Sequence, residues 1–171
     1  MNLRVVFITL FYSGYSPKAP GTVGSVVALI LGVIILLFLP PSNLFMATIL
    51  ISIIAIKQID IYEKQTKSHD DKKIVIDELA GMWLALSLAP GKSLELINLL
   101  NPTLEDGTLI GLILSFIYFR LFDIKKPSII GKIDEKVQGG LGVMGDDIVA
   151  GLFAALSSAI TLKILQKIFL G

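Results

Sequence analysis

Cysteine is absent from this chain, and histidine occurs once, at position 69. Without thiols there is no disulfide, no thiolate metal site and no cysteine nucleophile. A lone His69 cannot build a histidine-based zinc site, and it reads as an exposed loop residue. Charge is almost as scarce in the first third, where Lys18 is the sole charged side chain between Val5 and Ile56. That is too little to solvate a pair of helices in water. Hydrophobic residues make up 54% of the sequence and charged ones 17%, with a mean hydropathy of +0.79. The balance points to an integral membrane protein. A net charge of +1 gives no sign of a nucleic-acid partner. The N-terminus has no evident signal peptide, because its short apolar stretch lacks a small-residue cleavage site. The 171 residues suffice for one domain, 1–171, with a real core.

What the chain does have is apolar runs separated by charged or glycine-rich islands. Leu3 to Phe11 is about half a bilayer span and suits a re-entrant or interfacial helix. Tyr12 to Ser25 holds two prolines and three glycines, which predicts a loop, with Thr22 or Ser25 capping the helix that follows. Val23–Leu39 and Leu44–Ile61 read as two helices joined by a tight break, an antiparallel hairpin. Further helices are expected at Ile74–Leu88, Thr108–Phe122 and Asp146–Phe169, with a short amphipathic one at Ser128–Val137. The fold class is therefore all-α, a compact bundle with about five long helices in a polytopic membrane protein. Gly91-Lys92-Ser93 is not a phosphate-binding loop, since Leu86 stands where that pattern requires glycine. Trp83 reads as core, and Gly81 as a site of close helix approach.

The islands carry the chemistry. Asp77 and Glu78 sit at a helix start, where acids suit the dipole, yet apolar residues bracket them. Acids in an apolar helix are costly and are functional candidates. Arg120 and Asp123 close another apolar run, followed by Lys126. A glycine-rich stretch then leads into Asp146 and Asp147. Segments 57–73 and 120–136 each hold five basic residues, whereas 40–43 holds none and 89–107 holds one. Alternating topology with the positive ends inside puts every polar motif on one cytoplasmic face. Lys163 and Lys167 lie at the opposite end and run against that orientation. Carboxylates without His or Cys suit Mg²⁺, Mn²⁺ or Ca²⁺, and a Mg²⁺ site usually meets substrate phosphates. The chemistry suggested is metal-assisted attack on phosphorus, with Arg120 or Lys126 neutralising charge. The residues leave open which acid acts on water and whether an aspartyl-phosphate forms. Two other classes compete. One is a small membrane cation transporter, which would distribute its acids through bilayer depth. The other is a structural bundle whose acids merely pair with Arg120 and Lys126.

Four blocks together resemble the phosphatidylglycerophosphatase A family: SPKAPGTVGS at Ser16–Ser25, IDELAGMW at Ile76–Trp83, RLFDIKKP at Arg120–Pro127 and GGLGVMGDDIVAG at Gly139–Gly151. They cover about a quarter of the chain but span nearly all of its length. None of Asp77, Glu78, Asp123, Asp146 and Asp147 departs from the family pattern. The resemblance implies an all-helical, Mg²⁺-dependent lipid phosphatase of the bacterial inner membrane. It would convert phosphatidylglycerophosphate to phosphatidylglycerol at the cytoplasmic side. On this reading Asp77, Glu78, Asp123, Asp146 and Asp147 hold metal, with Asp77, Asp123 and Asp147 catalytic. Pro20, Gly21, Thr22, Ser25, Arg120 and Lys126 bind the substrate phosphate. The partners implied are an anionic phospholipid and the membrane, with no nucleic acid and no obligate protein partner.

Overall fold

A computed structural model describes residues 2–68, 71–89 and 100–170. His69 and Gly91-Lys92-Ser93 lie outside the described residues. The described structure is all helix apart from turns, with five long helices and two short ones. They are α1 (Leu3–Ile8), α2 (Pro20–Phe38), α3 (Pro41–Thr66), α4 (Ile76–Ser87), α5 (Thr108–Lys125), α6 (Ile129–Lys136) and α7 (Gly140–Phe169). A single 3₁₀ turn, Ser13–Tyr15, follows α1.

By length and composition α2, α3 and α7 can each cross a membrane, and the chain is a membrane protein. Their outward faces repeat apolar residues about one turn apart: Ile30 and Ile34 on α2, Met46, Leu50 and Ile53 on α3, Leu152, Leu156, Ile160 and Ile164 on α7. In water such stripes would be a liability; in lipid they are the solvated surface.

The helix at the centre is α4. Of its twelve residues ten are buried, and it packs against α2, α3, α5 and α7. Trp83 belongs to that core, its indole N–H donating to the Ala28 carbonyl at 2.9 Å. Small residues let the neighbours come close. A Cβ on Gly81 would stand 2.5 Å from the Asp147 carbonyl oxygen, and one on Gly151 would collide with the backbone of Gly81. So α4 and α7 cross at backbone contact. The inner face of α7 continues with Ala150, Ala154, Ala155 and Ser158, all buried.

Two boundaries differ from expectation in ways that matter for the site. The proline- and glycine-rich stretch is not a loop through Ser25. Pro20 opens α2, because a proline at the first helical position gives up an N–H that has no partner anyway. Neither Thr22 nor Ser25 caps that helix; Ala19 precedes it in left-handed conformation, and Ser25 lies inside. Likewise α7 starts at Gly140, so most of the glycine-rich stretch is helical and Asp146 and Asp147 lie in its second turn. Gly139 supplies the break with a φ of +73°. Asp60 of α3 accepts the Gly140 N–H at 2.7 Å, serving as a cap borrowed from another helix.

Candidate active site

Three helix ends meet at one level: the first turn of α4, the last turn of α5 and the second turn of α7. Each brings acids. The geometry starts from Arg120, which lies mostly buried one turn before the end of α5. Its Nη1 reaches Glu78 Oε2 and Asp123 Oδ2, each at 2.6 Å. The same nitrogen donates to Ser25 Oγ at 3.0 Å, and Nη2 donates to Thr22 Oγ1 at 3.2 Å. Ser25, with no exposure, donates to Glu78 Oε2 at 2.6 Å; its oxygen also lies 2.9 Å from the Gly21 carbonyl. One guanidinium thus ties α2, α4 and α5 together, and its fork can do what a lysine could not.

Glu78, Asp123 and Asp147 each offer a carboxylate oxygen, and the three oxygens lie within 4.8 Å of one another. Asp146, next to Asp147, accepts from Lys126 Nζ at 2.8 Å through Oδ2. Its Oδ1 is buried without a partner. Lys126 also pairs with Asp134 of α6. Asp77 lies outside the three-oxygen group and accepts the Glu78 N–H at 2.9 Å. These acids border a cavity of about 500 Å³, together with Pro20, Gly21 and Lys126. Gly21 is needed there: a Cβ would collide with Glu78 Oε1.

The residues expected from sequence therefore converge, three of them in a different place from expectation. Thr22, Ser25 and Arg120 do not line the cavity; they stand behind Glu78 and Asp123 and hold them. Ser25 in particular is too buried to meet a substrate. Three residues that sequence reading passed over join the site. Lys72 lines the cavity, Asp134 shares Lys126, and Asp60 fixes the start of the helix carrying Asp146 and Asp147. Each sits in an ordinary polar segment, so nothing in the pattern distinguishes it from a solvated charge.

Burial and mutual repulsion dominate the electrostatics. Burial, then the neighbouring Glu78 charge, pushes the Asp77 pKa well above the carboxylate range. Burial and Asp123 raise Glu78 to about 7, against the pull of Arg120. Burial opposes charge on Lys126, but Asp134 and Asp146 outweigh it and raise its pKa. Three clustered carboxylates, with a partnerless buried Asp146 oxygen on a residue that borders the same cavity, are a donor set a hard divalent cation takes, so Glu78, Asp123 and Asp147 fit such an ion.

A stability dependence follows. The folded-state pKa of Glu78, about 7, is above its ordinary 4.5, so the folded chain binds that proton more tightly than the unfolded one. Stability is then lost as pH rises between those values and stays lower above them. Thermal scans in EDTA should give a lower melting temperature at about pH 8 than at about pH 6. A divalent cation should raise it more at the higher pH, and Glu78→Gln should flatten the profile. Equal melting at both pH values in wild type would show that the cluster is not strained.

Residues 6–162 match the family model described as Phosphatidylglycerophosphatase A. A Bacteroides thetaiotaomicron protein, named provisionally as a phosphatidylinositol-3-phosphatase, is 32% identical over 92% of this chain and 92% of its own. Proteins named phosphatidylglycerophosphatase A from Haemophilus influenzae and Escherichia coli are each 33% identical. Each alignment covers 85% of this chain, with 80% and 75% of those proteins respectively. No solved structure matches the chain.

Proposed function

The chain belongs to the phosphatidylglycerophosphatase A family, and from that membership we propose that it hydrolyses the terminal phosphomonoester of phosphatidylglycerophosphate. The products are phosphatidylglycerol and inorganic phosphate, and the cofactor is Mg²⁺. The observation that carries the reading is the convergence of Glu78, Asp123 and Asp147 on one small volume beside Lys126 and the start of α2. A cation pathway would spread its acids through bilayer depth, whereas these come from helix turns at one level.

Glu78, Asp123 and Asp147 would hold the ion, and Asp146, outside that group, borders the same cavity. A bound Mg²⁺ supplies Lewis-acid neutralisation of the phosphoryl oxygens. The chain does the rest. Pro20 has no N–H to offer, but those of Gly21 and Thr22 lack an acceptor within the first turn of α2, and with Gly21 lining the cavity they are the candidates to meet the substrate phosphate. Lys126 brings a positive charge that its two carboxylate partners keep protonated. Asp77, which borders the cavity outside the three-oxygen group, is the candidate to take the proton of the attacking water. Arg120 acts through Glu78 and Asp123, holding both carboxylates in position. The basic segments at 57–73 and 120–136 support a cytoplasmic active site in the bacterial inner membrane.

The test is phosphate release from phosphatidylglycerophosphate by protein purified in detergent, with Mg²⁺ and with EDTA, alongside phosphatidylinositol 3-phosphate. Metal-dependent release with a preference for the glycerol head group is expected. Folded protein that released phosphate from neither lipid in Mg²⁺ or Mn²⁺ would overturn the reading. Preference for the inositol lipid would reassign the substrate.

A further inference from the structure

Two ladders of side chains descend from the acid cluster into the apolar body. On α2, Gly21, Ser25, Leu29 and Val33 follow at intervals of four; on α5, Arg120, Phe116 and Leu112 do the same in the other direction. At the top the ladders join through the bond from Arg120 to Ser25. One turn farther they part, and the gap is a groove of about 280 Å³ lined by Leu29, Val33, Leu109, Leu112, Ile113 and Phe116. None of the six carries a polar side chain, so the groove cannot hold ordered water well. Helical rise places it from about 6 Å to about 16 Å below the level of Arg120. Ile113 is 48% exposed, so the groove is open to the surroundings.

Resting on the lipid-phosphatase reading above, we propose that this α2–α5 groove seats one acyl chain of the substrate lipid whose head group occupies the acid-lined cavity. Size and continuity choose the occupant. A helix from a partner or a second copy is about 10 Å across and needs far more room than 280 Å³. A single extended hydrocarbon chain does not. The groove also begins one turn beneath the residues that hold Glu78 and Asp123, on the same faces of the same helices. A lipid bridging the groove and the cavity would pass outside the seam that Arg120 and Ser25 close between α2 and α5. Arriving sideways from the bilayer, the substrate would be aligned by its tail before its phosphate reaches the acids.

Val33→Phe fills the groove about three turns from the acids, and Ile34→Phe places the same bulk on the exposed face of the same helix. Compare kcat/KM for long-chain phosphatidylglycerophosphate with that for its water-soluble deacylated head group. Val33→Phe should lower the long-chain value by about tenfold, mainly through KM, and leave the head-group value unchanged. Ile34→Phe should alter neither. An equal loss on both substrates, or no loss on either, would overturn the proposal. A second measurement uses wild type: a phospholipid with a photoactivatable group along one acyl chain should label the α2 and α5 groove residues. Labelling confined to outward residues such as Ile34 would also overturn it, whether or not Val33→Phe folds. If wild type cleaves no lipid phosphate, the functional reading fails, and the labelling pattern still decides the groove.

Discussion

Asp147→Asn should lower Mg²⁺-dependent phosphate release by about a thousandfold while making the metal-free protein more stable. The two effects share a cause. Asp147 is buried within 4.8 Å of carboxylate oxygens from Glu78 and Asp123, and asparagine keeps its shape while removing its charge. Without metal, that deletion relieves repulsion among buried acids. With metal, it removes an ionised ligand and loosens the fixed position of the ion. Melting temperatures with EDTA and with Mg²⁺ should therefore change places. Wild type should gain markedly from Mg²⁺, and the variant should start higher and gain little. A variant that lost activity and still gained as much from Mg²⁺ as wild type would place Asp147 outside the metal site.

Arg120→Met should be the most destabilising single substitution in the site, at about 3–5 kcal/mol. The guanidinium is the shared partner of Glu78, Asp123, Ser25 and Thr22, all at hydrogen-bonding distance. Methionine fills much of the volume but leaves the carboxylates of buried Glu78 and half-buried Asp123 without their shared cation. Lowering the pH or adding a divalent cation should then recover more stability in the variant than in wild type, since either neutralises the exposed repulsion. Arg120→Lys should recover only part, because one ammonium cannot serve partners on three helices in a fixed fork. Chemical denaturation in detergent micelles reads all three. Wild-type stability in Arg120→Met would mean that the acids are held apart by other contacts.

Much of this was legible in the sequence because lipid simplifies the code. In a chain so poor in charge, an acid such as Asp77 or Asp147 stands out against its neighbours, and apolar length alone marks α2, α3 and α7. Helix starts were harder. Prolines and glycines have two readings, and at Pro20 and Gly140 packing chose the helical one: Gly21 and Gly140 are needed for close approach to Glu78 and Ile56 rather than for a turn. The division between cavity residues and supporting residues was not legible. Thr22 and Ser25 are three apart on a helix, and only the position of Arg120 shows that both serve the acids from behind. Lys72, Asp134 and Asp60 have partners distant in sequence or none that local pattern suggests.

Were α7 to rock on α4, the backbone contact between Gly81 and Gly151 would serve as the fulcrum. Gly81 lies one turn from Asp77 and Glu78, and Gly151 lies one turn from Asp147, so each acid is on a lever arm of about 6 Å. The far end of α7, at Phe169, is on an arm of about 27 Å. A rocking of about 10° as the bundle adapts to a thinner or thicker bilayer would carry that end through about 5 Å. The acids would move by about 1 Å. With the pivot beside the acid cluster rather than at mid-membrane, mismatch with the bilayer would be absorbed far from the acids.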